Sequence, residues 1–207
     1  LAKVKKAIEE DKDIAVVAAV HHETGTGVLN PIREIGRMAH DNDCIFIVDT
    51  ISTYGLRPID IEEENIDFLM SSAQKGLAAM TGASWTVGNI KAIEKSKDYP
   101  TRSYYCNLFM QYDFFNRVGE MHFTPPVQTI YALARAIKEY FEEGEQNRWN
   151  RLQKCWEAIH KGLEQIGLES VIDKQIQGKL VVTIKAPDDG KFDFVTLHDY
   201  CFERGVT

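Results

Sequence analysis

The stretch CIFIVD, residues 44–49, is an apolar run that ends in a carboxylate. A second apolar run, FLM at residues 68–70, leads through SSAQ to Lys75. Short apolar runs of this kind are typical of strands buried inside a parallel sheet. Both runs are therefore predicted to be strands, with Asp49 and Lys75 at the same edge of one sheet. Parallel α/β sheets bind ligands just beyond that edge.

Strand and helix patterns alternate around these two runs. Ile14–Val20 is an unbroken apolar run, which predicts a strand buried on both faces, and a helical pattern starts near Asn30. Ile66–Met70 and Ala83–Val87 are predicted as the third and fourth strands, and residues 50–65 as an extended loop. The predicted fold class is α/β, with a mainly parallel sheet and helices outside it.

Beyond Gly88 the pattern becomes mainly helical. Helices are predicted at 107–118, at 147–167, and between Pro126 and Gly144, followed by a strand at Leu180–Ala186 and a helix at Phe192–Phe202. We place a domain boundary near Gly144. Residues 1–144 are predicted to be part of a large domain that includes the inter-domain helix, and 145–207 the start of a small α+β C-terminal domain. The chain looks cut at both ends.

The composition excludes several classes of partner. The net charge is −7 and the 24 basic residues are scattered, so neither nucleic acid nor an anionic membrane surface is an expected partner. No apolar run is long enough for a membrane helix. The four cysteines share no metal-type spacing, so no metal site is expected. Free thiols are typical of a reducing compartment, which predicts a cytoplasmic protein.

Lys75 and Asp49 together indicate a particular chemistry. A lysine at the ligand edge can form a Schiff base, and an aspartate there can keep a pyridinium nitrogen protonated. These are the two protein groups that pyridoxal 5′-phosphate (PLP) requires. The alternative interpretation is an aspartate that caps a strand and a solvated loop lysine. Either residue alone favours that alternative, whereas the pair at matching strand ends favours a PLP-dependent transferase.

The segment HHETGTG, residues 21–27, follows the first predicted strand and so lies at the same edge. Its hydroxyls are suited to hydrogen-bond a cofactor's phenolic oxygen, and an imidazole is suited to stack on a flat ring. A zinc-protease helix is excluded because the second histidine of H-E-x-x-H is missing. A dinucleotide site is only weakly indicated because the third glycine is missing. An ordinary polar turn remains an alternative.

Thr124 precedes the long helix that ends near Gly144. A hydroxyl near a helix N-terminus is placed to donate a hydrogen bond to a phosphate, because the helix dipole also favours an anion there. An ordinary N-cap threonine fits the spacing equally well.

At these segments the sequence resembles the class V aminotransferases of PLP fold type I. The resemblance is carried by VHHETGTG at 20–27, VDTIS at 48–52, DFLMSSAQK at 67–75 and HFTPP at 122–126, in that order and spacing. It covers residues 14–145 well and the remainder weakly. It implies PLP as cofactor and a fold in which this chain is most of the large domain and the start of the small one.

The resemblance implies a role for each matching residue. Lys75 would hold PLP covalently and shuttle the proton, and Asp49 would pair with the pyridine nitrogen. His22 and Thr24 would lie near the ring, with Thr24 bonding the phenolic oxygen. Gln74 would lie at the phosphate cup.

The sixth implied site residue, Thr124, would reach the cofactor phosphate of a neighbouring subunit, so a homodimer with shared sites is expected. The implied activity is amino transfer from 2-aminoethylphosphonate to pyruvate, giving phosphonoacetaldehyde and alanine. Gln74 departs from the Asn usual in that branch and resembles the alanine:glyoxylate branch. Segments that supply the phosphate-binding turn, the ring-stacking aromatic and the carboxylate-binding arginine are absent, so this chain alone is not expected to be a competent catalyst.

Three alternatives to that activity remain open. One is transfer from serine or alanine to glyoxylate by a related enzyme. Another is a cysteine desulfurase, for which Cys106 is the one candidate nucleophile, although its aromatic surroundings argue against it. The third is a non-catalytic scaffold of the same fold, which would need neither Lys75 nor Asp49.

Overall fold

The computed structural model describes residues 1–188 and 190–206. Its centre is a four-stranded sheet in the order β1-β2-β3-β4, formed by Val16–Val20, Ile45–Asp49, Phe68–Ser72 and Ser84–Gly88. The first three strands are parallel, and β4 runs antiparallel to β3. The predicted α/β class with a mainly parallel sheet is confirmed.

Seven α-helices accompany the sheet in the described part of the chain. They are α1 Ala2–Glu10, α2 Ile32–His40, α3 Ile90–Lys95, α4 Leu108–Val118, α5 Val127–Glu143, α6 Glu145–Gln165 and α7 Phe194–Phe202. The short α3 begins after Asn89, whose side chain accepts hydrogen bonds from two helix amides, and the sequence patterns did not predict it. Helices α4, α5, α6 and α7 agree with the predicted ones to within two residues at each end. None of the described helices is both long enough and apolar enough to cross a membrane.

The core lies between one face of the sheet and α2. Phe46, Val48 and Leu69 alternate with outward-facing neighbours and are fully or almost fully buried. The apolar stripe of α2 covers them with Ile32, Ile35 and Ala39. Burying one such large side chain stabilises the fold by about 1.5–3 kcal/mol relative to leaving it exposed.

The prediction that β1 is buried on both faces is wrong for the described chain. Val16 and Val20 are 47% and 39% exposed, whereas Val17 and Ala19 face the core cluster. The reason is position, because β1 is an edge strand and only its α2 face is covered by described residues. The apolar run reflects the strand's composition and not burial on both sides.

The third strand begins two residues later than predicted. Asn65 has a positive φ of 55°. Asp67 attaches the start of β3 to β2, because its Oδ2 accepts a hydrogen bond from the amide of Phe46 at 2.8 Å. The carbonyl of Phe46 in turn accepts the Asp67 amide. Ile66 and Asp67 therefore precede β3, which extends to Ser72, closer to Lys75.

The predicted strand at 180–186 is wrong. Residues 180–186, all within the described part of the chain, form one isolated bridge, between Ser170 and Ile184, and no strand. The segment instead lies against the turn at 25–27, where the Thr183 hydroxyl donates to the carbonyl of Thr26 at 3.0 Å. The domain boundary near Gly144 stays a prediction. Gly144 does end α5, with φ 81°.

Candidate active site

The carboxyl ends of β1, β2 and β3 lie side by side at one edge of the sheet. Val20 pairs with Asp49, and Asp49 pairs with Met70. Asp49 is the last residue of β2, and Lys75 is the third residue after β3 ends at Ser72. The structure therefore brings Asp49 and Lys75 to the ends of adjacent strands. Asp49 Oδ1 accepts a hydrogen bond from the Ile51 amide at 2.9 Å, which fixes the carboxylate's orientation.

The loop that carries Lys75 turns back against the chain that follows Asp49. The amide of Ala78 donates to the carbonyl of Lys75 at 2.8 Å, and the amide of Ala79 donates to that of Ala73 at 3.0 Å. Gly76 is buried, and a Cβ there would lie only 2.0 Å from the Tyr54 carbonyl oxygen. Lys75 is exposed on this loop, as is its neighbour Gln74.

The HHETGTG segment forms a tight turn beyond β1. The Glu23 carbonyl accepts hydrogen bonds from the amides of Gly27 at 2.7 Å and Thr26 at 3.3 Å. Its carboxylate accepts the amide of Gly25 at 3.1 Å. Thr24 lies exposed within this turn. Residues 21–27 form neither a metal-ligand helix nor a glycine-rich nucleotide loop. The turn places the exposed Thr24 at the carboxyl edge of the sheet.

The two histidines before this turn are buried and hold it to the chain after β2. His21, 3% exposed, shares a hydrogen bond between Nδ1 and Thr53 Oγ1 at 3.0 Å. Burial, with smaller contributions from the nearby charges of Arg57 and His22, lowers the pKa of His21 to about 4. His21 is therefore neutral near pH 7 and supports the fold of the site.

His22 is 1% exposed and is bonded to Ser52 through both its side chain and its backbone. Ser52 Oγ donates to the His22 carbonyl at 2.6 Å, so the same oxygen accepts from His22 Nδ1 at 3.2 Å. The neutral imidazole thus carries its proton on Nδ1. Burial lowers the pKa of His22, opposed by the Glu23 carboxylate and the Gly27 carbonyl. Gly178 lies against the ring, where a Cβ would be 2.3 Å from Cδ2.

Two buried polar atoms at this edge have no hydrogen-bond partner within the described part of the chain. They are Ser72 Oγ, at the end of β3, and His22 Nε2. Buried polar atoms are normally paired, so each unpaired one calls for an explanation, and a ligand contact is one such explanation. A cofactor with a charged ring nitrogen, a phenolic oxygen and a phosphate fits an edge that offers a carboxylate, a free amine and unpaired polar atoms.

Thr124 lies on a different segment from the other five predicted site residues, just before α5. It is exposed and precedes Pro126, which occupies the N-cap position of α5 without a side-chain cap, so the N-cap alternative for Thr124 is wrong. Its neighbours His122 and Phe123 join an aromatic cluster with Tyr104. No hydrogen bond between Thr124 and Asp49 or Lys75 occurs among the described residues.

Sequence reasoning missed two residues that shape this edge. Ser52 and Ser72 were parts of quoted motifs but were given no role, and Ser72 was left beyond the predicted strand, which ended at Met70. A signal for Ser72 exists in the sequence, because a serine pair continues an apolar strand directly toward Lys75. A small polar side chain at a strand's carboxyl end is a candidate ligand contact in any parallel sheet.

The fold and this edge define an α/β protein whose candidate site lies at the carboxyl ends of parallel strands. The family model "Aminotransferase class-V" matches residues 1–197. The chain therefore belongs to the class V aminotransferase family.

Relatives and solved structures agree with that assignment. The chain is 32% identical over 204 residues, 98% of its length and 32% of the relative's, to a bifunctional phosphonoacetaldehyde hydrolase/aminoethylphosphonate transaminase of Clostridioides difficile. It is 34% identical over 186 residues, 89% of its length and 50% of the relative's, to a 2-aminoethylphosphonate–pyruvate transaminase of Lysinibacillus sphaericus. An alanine–glyoxylate aminotransferase structure from Nostoc sp. superposes with a TM-score of 0.87 at 29% identity, covering 99% of this chain and 54% of that one.

The fold is that of the fold type I PLP-dependent aminotransferases, as expected from the resemblance. The chain spans a third to about half of the length of the curated relatives it matches.

Proposed function

We propose that the protein transfers the amino group of 2-aminoethylphosphonate to pyruvate with PLP as cofactor, giving phosphonoacetaldehyde and alanine. Support for the substrate comes from relatives 31–34% identical whose names specify that pair. The observation that carries the proposal is the placement of Asp49 and Lys75 at the carboxyl ends of adjacent parallel strands. PLP, when bound, supplies an aldehyde that condenses with amines and a ring that withdraws electrons from the bond that breaks.

Each residue has a task at a stated atom. Lys75 Nζ would hold the cofactor and, once freed by the incoming amine, would take a proton from the donor carbon and deliver it to the cofactor. The Asp49 carboxylate holds the proton on the pyridine nitrogen. The exposed hydroxyl of Thr24 donates to the phenolic oxygen. His22, buried and neutral, forms a fixed wall near the ring, and the Gln74 amide contributes to the phosphate site.

Thr124 completes the phosphate site of a second subunit in this proposal. Its exposure supports that role, because an exposed hydroxyl is accessible to a second subunit. The exposed tyrosines Tyr104 and Tyr105, beside Phe123, give this surface the aromatic character that subunit interfaces favour. The protein is therefore proposed to act as a homodimer with shared sites.

The first experiment tests the covalent role of Lys75. The protein is incubated with PLP and reduced with borohydride, and mass spectrometry then locates the pyridoxyl group. We expect the label on Lys75 and none in Lys75→Ala, whereas Lys91→Ala, which removes an exposed lysine of α3, keeps it. A label distributed over several lysines, or unchanged in Lys75→Ala, contradicts the proposal.

The second experiment tests the substrate. Alanine formation is measured with 2-aminoethylphosphonate and pyruvate, and glycine formation with alanine or serine and glyoxylate. The glyoxylate reaction is the second candidate function, favoured by Gln74 and by the fit to the Nostoc alanine–glyoxylate aminotransferase. Glycine formation at a higher kcat/KM than alanine formation would assign the protein to that branch and reject the phosphonate substrate.

A further inference from the structure

Arg148, on α6, contacts the loop of Lys75, although the two are more than seventy residues apart in the sequence. Its Nη1 donates to the carbonyl of Gly76 at 3.1 Å and to that of Gly55 at 3.4 Å. Gly76 directly follows Lys75, and Gly55 lies in the turn that follows Asp49. One guanidinium nitrogen therefore joins the two segments that carry the proposed lysine and aspartate.

The two joined segments also touch each other directly. A Cβ on Gly76 would lie 2.0 Å from the Tyr54 carbonyl oxygen, and one on Gly55 would lie 2.8 Å from Leu77 Cδ2. Gly76 is buried and Gly55 is half-buried, and a carbonyl withdrawn from water needs a donor. Arg148 supplies it to both segments at once.

The guanidinium is itself held in place. Its Nε donates to Glu143 Oε2 at 2.6 Å, its side chain is only 12% exposed, and its Cζ lies 5.1 Å from the centre of the Tyr140 ring. The same carboxylate accepts Arg151 Nε at 2.7 Å through its other oxygen. Hydrogen bonds from Arg151 and Arg148 lower the pKa of Glu143 to about 2, so the anchor stays charged across the physiological range.

We propose that Arg148 is a positioning residue for Lys75: it fixes the Lys75 loop against the turn after Asp49 and so sets the placement of the amine relative to the carboxylate. The catalytic meaning of this clamp rests on the proposed function. Lysine cannot replace arginine here. A single ammonium nitrogen cannot occupy both the Nε position at Glu143 and the Nη1 position between the two carbonyls.

The chain offers a matched pair of variants, Arg148→Lys and Arg151→Lys. Both change an arginine of α6 that binds Glu143, and both keep the charge, but only Arg148 contacts the loop. Hydrogen exchange is measured at the amides of Ala78 and Ala79, which donate within this loop. Arg148→Lys should speed their exchange about tenfold or more, as expected when hydrogen bonds from a charged group are lost. Arg151→Lys changes an exposed residue of an ion pair, so it should change the exchange rate by less than about twofold.

Two chemical readouts separate positioning from support of the fold alone. The initial rate of borohydride-trapped labelling at Lys75 should fall about tenfold in Arg148→Lys and stay within about twofold in Arg151→Lys. In turnover, Arg148→Lys should lower kcat while KM for the amino donor stays unchanged, because the lysine acts after the donor binds. Arg148→Ala with added guanidinium ion is a second test if the lysine variant does not fold. Guanidinium should restore labelling, and ammonium at equal ionic strength should not.

Equal effects of the two lysine variants, or unchanged exchange at Ala78 and Ala79 in Arg148→Lys, would overturn the role of Arg148. Faster exchange in Arg148→Lys with an unchanged labelling rate would also overturn it, because the clamp would then support the fold without placing the amine. A failure of the proposed function looks different. The unaltered protein would then carry no label on Lys75, whatever the exchange rates of the variants.

Discussion

Gly76→Ala tests whether the loop of Lys75 depends on direct backbone contact with the chain after Asp49. The added methyl group would lie 2.0 Å from the Tyr54 carbonyl oxygen, 2.8 Å from Leu56 Cγ and 3.1 Å from the Tyr54 carbonyl carbon. Ordinary contact begins near 3.4 Å. The oxygen and the methyl group must therefore separate from 2.0 Å to at least 3.4 Å, a shift of about 1.4 Å.

The size of the effect follows from what has to move. The obstacle is main chain and not the end of a flexible side chain, so the loop and the turn must part, and the Arg148 bridge between Gly55 and Gly76 must stretch or break. Overpacking of this kind costs about 1–3 kcal/mol, and loss of the bridging hydrogen bonds adds about 1.5–3 kcal/mol. Because the two responses overlap, we expect a loss of about 2–4 kcal/mol in the free energy of unfolding.

Urea unfolding measures the loss, with Gly162→Ala as the matched control. Gly162 lies inside α6, and a Cβ there would meet no atom within 4 Å. Alanine is the better helix former, so the control should gain about 0.5–1 kcal/mol. A loss below about 0.5 kcal/mol in Gly76→Ala would refute the close contact, since surface changes without contacts fall in that range.

Three further predictions follow from other parts of the molecule. Phe46→Ala should lower the free energy of unfolding by about 3–5 kcal/mol because Phe46 is fully buried, whereas the exposed Phe115→Ala should change it by less than about 0.5 kcal/mol; equal losses would contradict the core assignment. His21 binds its proton less readily in the folded state, so its contribution to the free energy of unfolding should be fully present above pH 6.5 and fall by up to about 3 kcal/mol as the pH drops toward 4. His21→Asn should reduce this dependence on pH between 6.5 and 4 when the urea midpoint is measured. If sites are shared between subunits, Lys75→Ala and Thr124→Val proteins, each impaired alone, should regain activity when refolded together, and no gain would place Thr124 outside a partner's site.

The positions of Asp49 and Lys75 were predictable because their signals are local. Each follows an apolar run that folds as a strand for reasons contained in that run, and parallel strands align their carboxyl ends. The register between Asp49 and Met70 then brings the two segments together without further information. The same reasoning placed the turn of residues 21–27 at the edge.

The errors concern features that depend on neighbours. The composition of β1 is that of a buried strand, but burial requires an element on each side, and described residues cover only one face. The run at Leu180–Ala186 has strand-like residues, but a strand needs a partner with free backbone groups. Backbone groups of residues 27–29 are already bonded to 176–178, through the Leu29 amide to Ile176 and the Gly178 amide to Gly27. Residues 180–186 therefore make a single bridge, between Ile184 and Ser170.

Arg148 illustrates why the support of a site is harder to predict than its chemistry. Its acceptors are the carbonyls of two glycines, and a backbone carbonyl leaves no mark in the sequence that names its donor. An arginine in a charged helix is by composition a solvated residue, and Arg151, three positions later, is one. Only the fold distinguishes them. Arg148 lies on α6, beyond the predicted domain boundary, and binds the loop of Lys75. Substitutions far from the strand edge should therefore alter the site. A change in the orientation of α6 would move the Lys75 loop through this one guanidinium group.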